Sequence, residues 1–138
     1  MDFVGYLASA ALGVIGYVGA QFALKPISEL RATREEIAKS LVLFGNADTM
    51  VNVTGSDDPR AREARGKYHE LASTLIAQAN SIPVYGAWAC LRIIPAFKDI
   101  EKARANLIGL SNAIGVQGQS VDNSRRQQNI EQALRLRT

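Results

Sequence analysis

An uncharged stretch near the start of the chain limits most strongly what this sequence can fold into. From Phe3 to Leu24 the chain has 22 residues without a charged side chain. As a helix this stretch would be about 33 Å long, which matches a bilayer hydrocarbon core of roughly 30 Å. A buried helix of a soluble protein seldom runs so far without a charge. We therefore predict a transmembrane anchor over residues 1–25.

A cleaved signal peptide is the main alternative for the same stretch. Val18, Gly19 and Ala20 would form an acceptable small-residue cleavage site. However, the residues before the apolar run include no Lys or Arg, and the run is longer than the usual hydrophobic region of a signal peptide. The sequence therefore favours an anchor that stays attached.

The charges on either side of the predicted span indicate its orientation. Asp2 precedes the span, whereas Lys25, Arg31 and Arg34 follow it. Cytoplasmic flanks of membrane helices carry an excess of Lys and Arg. The sequence thus predicts a single span in the cytoplasmic (inner) membrane, with the N-terminus outside and the C-terminus in the cytoplasm.

Small residues align along one face of the predicted span. Close approach of helix backbones is a main source of attraction between helices in lipid, and small residues permit it. Gly and Ala are also common in membrane helices for other reasons, which is the alternative explanation. We interpret the face as a packing surface that makes the protein a homo-oligomer. At 100° per residue its members fall within about 80° of one another, namely Gly5, Ser9, Gly13, Gly16, Ala20 and Ala23.

Beyond the span, apolar residues recur at spacings of three and four and predict a cytoplasmic helical bundle over residues 26–114. Pro26 predicts a kink at the membrane edge. Asp58 followed by Pro59 predicts the N-cap and first position of a second helix. The fold class is all-α, with one N-terminal transmembrane helix that continues into the bundle. The residues predicted to form the bundle seam are Leu30, Ile37, Leu41, Phe44, Leu71, Leu75, Ile100 and Leu107.

Two polar residues, Arg34 and Asp48, interrupt the seam of the first helix, which the apolar pattern extends to Val51. A polar seam residue either solvates an edge of the bundle or specifies the register of its helices. Both explanations stay open for this pair.

An apolar segment over residues 81–97, which we call the elbow, is bounded by two prolines and interrupted only by Arg92. It is too short for an ordinary second span. The elbow either lies at the membrane surface or packs as a buried turn against the bundle, and we favour the first. The residues of the types that prefer the membrane interface are Tyr85, Trp88 and Arg92.

The last strong helical pattern begins near Lys98 and ends at about Ile114. Residues 115–138 form a polar tail in which a short amphipathic helix could carry Ile130 and Leu134. The tail is either loose or docks on anionic lipid or on a neighbouring protein.

The run from Ile100 to Asn112, together with Ile82-Pro83-Val84-Tyr85, resembles a group of small uncharacterised prokaryotic proteins. Proteins of that group have a single N-terminal span and a helical cytoplasmic part. The resemblance implies the same layout here and carries no activity with it.

The sequence offers little to catalysis or metal binding. It has one cysteine and one histidine, and no nucleotide-binding, zinc-protease or nucleophile-elbow motif. We therefore predict no enzyme, no catalytic residue, no cofactor and no metal. The net charge of +3 is mild and the basic residues in the first turns of the second helix do not share one face, so nucleic acid is not an expected partner.

Two functions remain. We favour a membrane-anchored, self-associating interaction or scaffold module whose bundle faces the cytoplasm and meets an unidentified protein partner there. The alternative is a membrane-active or pore-forming component. A water-filled path needs several aligned polar residues, whereas Ser9 and Gln21 lie about 120° apart on the helix. This scarcity of polar residues favours the anchor in the lipid bilayer.

Overall fold

The computed structural model describes residues 3–45, 58–114 and 120–136. Within these ranges all regular structure is helical, as the sequence predicts. The helices are α1 (Phe3–Phe44), α2 (Pro59–Ser81), α3 (Tyr85–Cys90), α4 (Phe97–Ala113) and α5 (Ser120–Leu134).

Helix α1 has two parts with different surroundings. It has 42 residues and stays helical through Pro26, where the sequence predicts a kink. The described side chains before Pro26 are exposed, whereas Ile27 and Leu30 are buried. The change occurs within one turn, so the exposed part leads directly into the packed part. The helix ends at Phe44, and the predicted seam positions Asp48 and Val51 lie outside the described residues.

Helix α2 begins as predicted and runs antiparallel to α1. The Asp58 side chain accepts a hydrogen bond from the backbone N–H of Arg60 at 2.9 Å, with Pro59 at the first helical position. Near the middle of α2, the Tyr68 hydroxyl donates to the carbonyl oxygen of Ser40 at 3.4 Å, and its ring meets that of Phe44 edge-on at 6.1 Å. Beyond the end of α2, Tyr85 lies within reach of the charge of Arg34, which is earlier in α1, so the chain runs back along α1.

Helix α4 returns antiparallel to α2. The Ser111 hydroxyl donates to the carbonyl oxygen of Arg65 at 3.0 Å, and the Arg65 side chain donates to the carbonyl oxygen of Ile114 at 3.0 Å. These two bonds connect the end of α4 to the start of α2, at the end of the bundle farthest from the exposed part of α1.

The predicted seam residues face the shared core. Phe44 is half-buried and packs against that core. The buried seam residues are Leu30, Ile37, Leu41, Leu71, Leu75, Ile100 and Leu107.

Helix α5 packs with the other helices, whereas the sequence predicts a polar tail outside the bundle over residues 115–138. Ile130 and Leu134 are fully buried, and α5 packs along α4. The helix is polar on average because few of its positions face the core. Those positions nevertheless fill the groove beside α4, which a sequence pattern alone does not reveal.

Candidate functional site

The described part of α1 before Pro26 presents an apolar surface that no other described helix covers. Among the described residues, α1 is the one helix long and apolar enough to cross a membrane, and 6% of its apolar window is buried. Large exposed apolar surfaces are typical of sites that contact a membrane or another protein. Its large exposed members are Tyr6, Leu12, Val14, Ile15, Tyr17, Val18, Phe22 and Leu24.

The predicted packing face lies on this exposed part. A Cβ atom added at Gly13 or Gly16 would meet no atom within 4 Å, and Ser9 and Ala20 are exposed. Gly5 and Ala23 belong to α1, but the surroundings of their side chains lie outside the description. Space along the described members of the face is therefore open within one copy of the chain.

The polar side chain of Gln21 is engaged within α1. Its amide nitrogen donates to the Tyr17 hydroxyl at 3.2 Å. An internal bond of this kind lowers the cost of placing an amide among lipid tails.

The antiparallel packing places the elbow at the same end of the bundle as the exposed part of α1. Tyr68 lies beside Ser40, and α2 runs on to Ser81, about 20 Å further along its axis. Because α2 is antiparallel to α1, this length returns the chain to the level of Ile27. The elbow therefore lies at the end of the bundle from which the apolar part of α1 extends, and its Tyr85 lies within reach of the positive charge of Arg34.

The elbow holds itself together through the polar tips of its two large aromatic residues. The Tyr85 hydroxyl donates to the carbonyl oxygen of Pro95 at 2.8 Å, and the Trp88 indole N–H donates to the carbonyl oxygen of Pro83 at 3.1 Å. The Tyr85 ring also meets that of Phe97 edge-on at 5.4 Å. These contacts join both ends of the elbow to α3.

Burial also changes the chemistry of Tyr85. The loss of water around its hydroxyl raises the pKa of Tyr85 to about 12, although the positive charge of Arg34 opposes the shift. The phenol is therefore neutral at physiological pH and remains a hydrogen-bond donor to Pro95.

Left-handed residues flank α3. Val84, just before the helix, has φ 51°, and Arg92, just after it, has φ 58°. The backbone N–H of Arg92 donates to Ala89 and that of Ile93 to Trp88, at 3.0 and 3.1 Å. This pair of bonds is a Schellman motif, which usually places glycine in the left-handed position. An arginine there carries a strain of roughly 1–2 kcal/mol.

The elbow has a buried side and an exposed side. Ile82 and Ile94 are buried in the core, whereas Val84 and Leu91 are 76% and 66% exposed. The two predicted locations of the elbow are thus compatible, because one side can pack on the bundle while the other faces outward.

The predicted interface residues divide between these sides. Tyr85 and Trp88 are half-buried, and Arg92 is exposed. The sequence pattern does not distinguish Val84 and Leu91, whose exposure depends on the left-handed turns around α3. No feature of the sequence pattern signals those turns, since neither turn residue is glycine.

Arg34, which interrupts the predicted seam, binds the end of α5. Its guanidinium donates to the carbonyl oxygen of Leu134 and, at 3.4 Å, to that of Arg135. Carbonyl groups at the end of a helix lack partners within the helix and carry partial negative charge. Arg34 therefore fixes the position of α5 against α1, which is closer to the role of a register residue than to that of a solvated edge.

Helix α5 ends in a second Schellman motif. The backbone N–H of Arg135 donates to Gln132 at 3.2 Å, and that of Leu136 donates to Glu131 at 2.9 Å. Arg135 occupies the left-handed position with φ 52°.

The pKa of the Arg34 guanidinium is lowered. Its burial is the largest cause, and the positive charges of Arg31 and Arg135 add to it.

Within the described residues, no group of three or more His, Cys, Asp and Glu side chains is placed to hold a metal ion. The single cysteine, Cys90, is exposed at the end of α3. No family model, curated protein or solved structure matches the chain.

Proposed function

We propose that this protein is a membrane-anchored helical module that self-associates through its span and holds its bundle against the cytoplasmic face of the inner membrane. In this role it acts as a scaffold to which a cytoplasmic protein binds. The observation that carries the proposal is the division of α1 into an exposed apolar part and a buried part within one helix.

The length of the connection supports a bundle close to the membrane. Leu24 is exposed and Ile27 is buried, so about 5 Å of helix separates the apolar part from the core. Because the two parts share one continuous helix, the bundle cannot hang from the span on a loose linker. A membrane around the apolar part would therefore lie directly beside the elbow.

The exposed side of the elbow has the composition expected for such a position. Val84 and Leu91 offer apolar surface, and Arg92, which is exposed in the same segment, offers positive charge. Apolar side chains enter the boundary of the lipid tails, while basic side chains attract anionic headgroups. The elbow would thus rest on the membrane and limit tilting of the bundle.

The open space along Gly13 and Gly16 supports self-association. Nothing in the described part of one chain fills this space, and helix pairs in lipid use small residues for close contact. A second copy of α1 offers the same surface in a symmetric dimer, in which one patch contacts its own copy.

Integration and orientation can be tested together in bacterial cells. The full chain should remain in the membrane fraction after alkaline extraction, since α1 would be embedded in lipid. A reporter that is active only in the cytoplasm should work when fused after Thr138, and a reporter that needs the periplasm should fail there.

A charge-exchange variant serves as the matched control. Asp2→Lys combined with Lys25→Glu reverses the charge bias nearest the span and should shift part of the fusion protein to the opposite orientation. Release of the wild-type chain by alkaline extraction, or periplasmic activity of its C-terminal fusion, would refute the proposed anchor or its orientation, respectively.

A further inference from the structure

A basic cavity of about 350 Å³ opens between α1 and the end of α5. Its size falls at the lower end of the range for small-molecule sites. It lies at the seam that Arg34 closes by binding the last carbonyl groups of α5. The residues that line it are Arg31, Arg34, Glu35, Ala38, Arg135 and Leu136.

The cavity has more positive charge than its surroundings neutralise. Three guanidinium groups and one carboxylate line it, and neither Arg31 nor Arg135 has an ion-pair partner in the described part of the chain. The Nε atom of Arg34 is buried and has no hydrogen-bond acceptor there. A buried donor without an acceptor is destabilising unless a ligand or water supplies one.

Arg135 stands where the fold would accept glycine more easily. It occupies the left-handed position of the Schellman motif with φ 52°, and glycine adopts that conformation without steric conflict. The backbone role of this position therefore does not require arginine, so the guanidinium needs a separate explanation.

We propose that Arg31, Arg34 and Arg135 bind a phosphate group in this cavity. Guanidinium groups form paired, charge-assisted hydrogen bonds with phosphate oxygens. Arg34 keeps its bonds to the end of α5 and contributes positive charge beside the ligand, while the exposed side chains of Arg31 and Arg135 supply the hydrogen bonds to the phosphate oxygens.

The phosphate can come from a lipid headgroup or from a soluble phosphate compound. Arg31 lies about 10 Å along α1 beyond Leu24, and side chains on a helix lean toward its N-terminus, here toward the apolar part. The headgroup region extends several ångströms beyond the hydrocarbon core. Binding of a lipid headgroup rests on the proposed anchoring, whereas binding of free phosphate does not.

Thermal unfolding of the full chain in uncharged detergent tests the site without a bilayer. The probe is inorganic phosphate, compared with chloride at equal ionic strength. Phosphate also raises unfolding temperatures by exclusion from protein surfaces, so the result is the difference between variants. Wild type should show a larger phosphate-dependent rise in Tm than Arg135→Gly, because a bound ligand stabilises the folded state.

The choice of variants separates binding from folding. Arg135→Gly removes the guanidinium but suits the backbone, so its Tm without phosphate should match or exceed that of wild type. Its phosphate affinity should be about tenfold weaker, as for the loss of one charge-assisted bond. Glu35→Gln should strengthen binding by removing the opposing carboxylate, and Arg104→Gln, an exposed change on α4, should leave it unchanged.

Lipid discs identify the source of the phosphate. Replacing part of the phosphatidylcholine with phosphatidylglycerol should raise the Tm of wild type more than that of Arg135→Gly if the ligand is a headgroup. A response to inorganic phosphate alone would assign the site to a soluble phosphate compound. Equal phosphate responses of wild type and Arg135→Gly in detergent would overturn the site, even if the chain proves to be anchored.

Discussion

Replacing Gly13 with isoleucine tests whether the small-residue face joins two copies of the protein. In a single chain, a Cβ atom at Gly13 meets nothing within 4 Å. The added Cβ therefore has no neighbour to displace within the described part of the chain, and isoleucine is compatible with lipid. Any loss of association must then arise at a contact with a second copy.

The expected magnitude follows from the loss of close backbone approach. Packing and weak hydrogen bonds between membrane helices contribute on the order of 1–2 kcal/mol, so association should weaken about tenfold. Gly19→Ile is the matched control because a Cβ at Gly19 also has open space. Gly19 lies about 80° from the centre of the face, so the same change there should have little effect.

Energy transfer in lipid vesicles measures this association with the full chain. Cys90 is the single cysteine and is exposed, so donor and acceptor dyes can be attached at one defined position. As lipid is added, energy transfer for Gly13→Ile should disappear at a protein-to-lipid ratio about tenfold higher than the ratio at which it disappears for wild type. Identical dilution curves for wild type and both variants, or equal losses at Gly13 and Gly19, would refute the packing face.

Three further predictions concern the elbow and the core. Leu91→Glu should weaken contact between the elbow and anionic vesicles. The control is Leu43→Glu, which changes a leucine that is 74% exposed at the opposite end of the bundle and should not weaken this contact. Equal vesicle binding by wild type and both variants would contradict an elbow at the membrane. Burial raises the pKa of Tyr85 from 10.0 to about 12, so its contribution to stability is present below pH 10 and is lost as the pH rises to 12. The absorbance difference at 295 nm between wild type and Tyr85→Phe should show one late-titrating phenol, and a midpoint near 10 would contradict its burial. Leu107→Ala should lower the free energy of unfolding by about 2–5 kcal/mol, because Leu107 is fully buried. The control Arg104→Ala should change the free energy of unfolding little. Equal unfolding curves for the two variants would show that α4 does not pack as described.

The elements that follow from local chemistry could be predicted from the sequence. Asp58 and Pro59 start α2 as expected, since a carboxylate cap and a proline at the first position act within a few residues of each other. The exposed apolar part of α1 follows from its lack of charge. Such features depend on neighbouring residues and therefore appear in the sequence pattern.

The features that depend on distant partners could not be predicted. Arg34 interrupts a seam, but its partners are carbonyl groups about 100 residues away, and every residue has a carbonyl group. The overall polarity of α5 predicts a tail outside the bundle, although Ile130 and Leu134 are fully buried in the shared core.

The two arginines in left-handed backbone conformation show a second reason why parts of the fold could not be predicted from the sequence. Arg92 and Arg135 occupy positions that normally hold glycine, so the usual marker of a helix end is absent from both. The basic cavity beside Arg135 therefore leaves no trace in the linear sequence.

The depth of Cys90 in a lipid bilayer is the most direct test of a bundle held against the membrane. Cys90 ends α3 in the elbow and is exposed, and it can carry an environment-sensitive fluorophore in the otherwise unchanged full chain. Lipids with a spin label at the headgroup should quench this fluorophore more strongly than lipids labelled at the middle of the acyl chain. Quenching by aqueous iodide alone, with no effect of either spin-labelled lipid, would contradict the account.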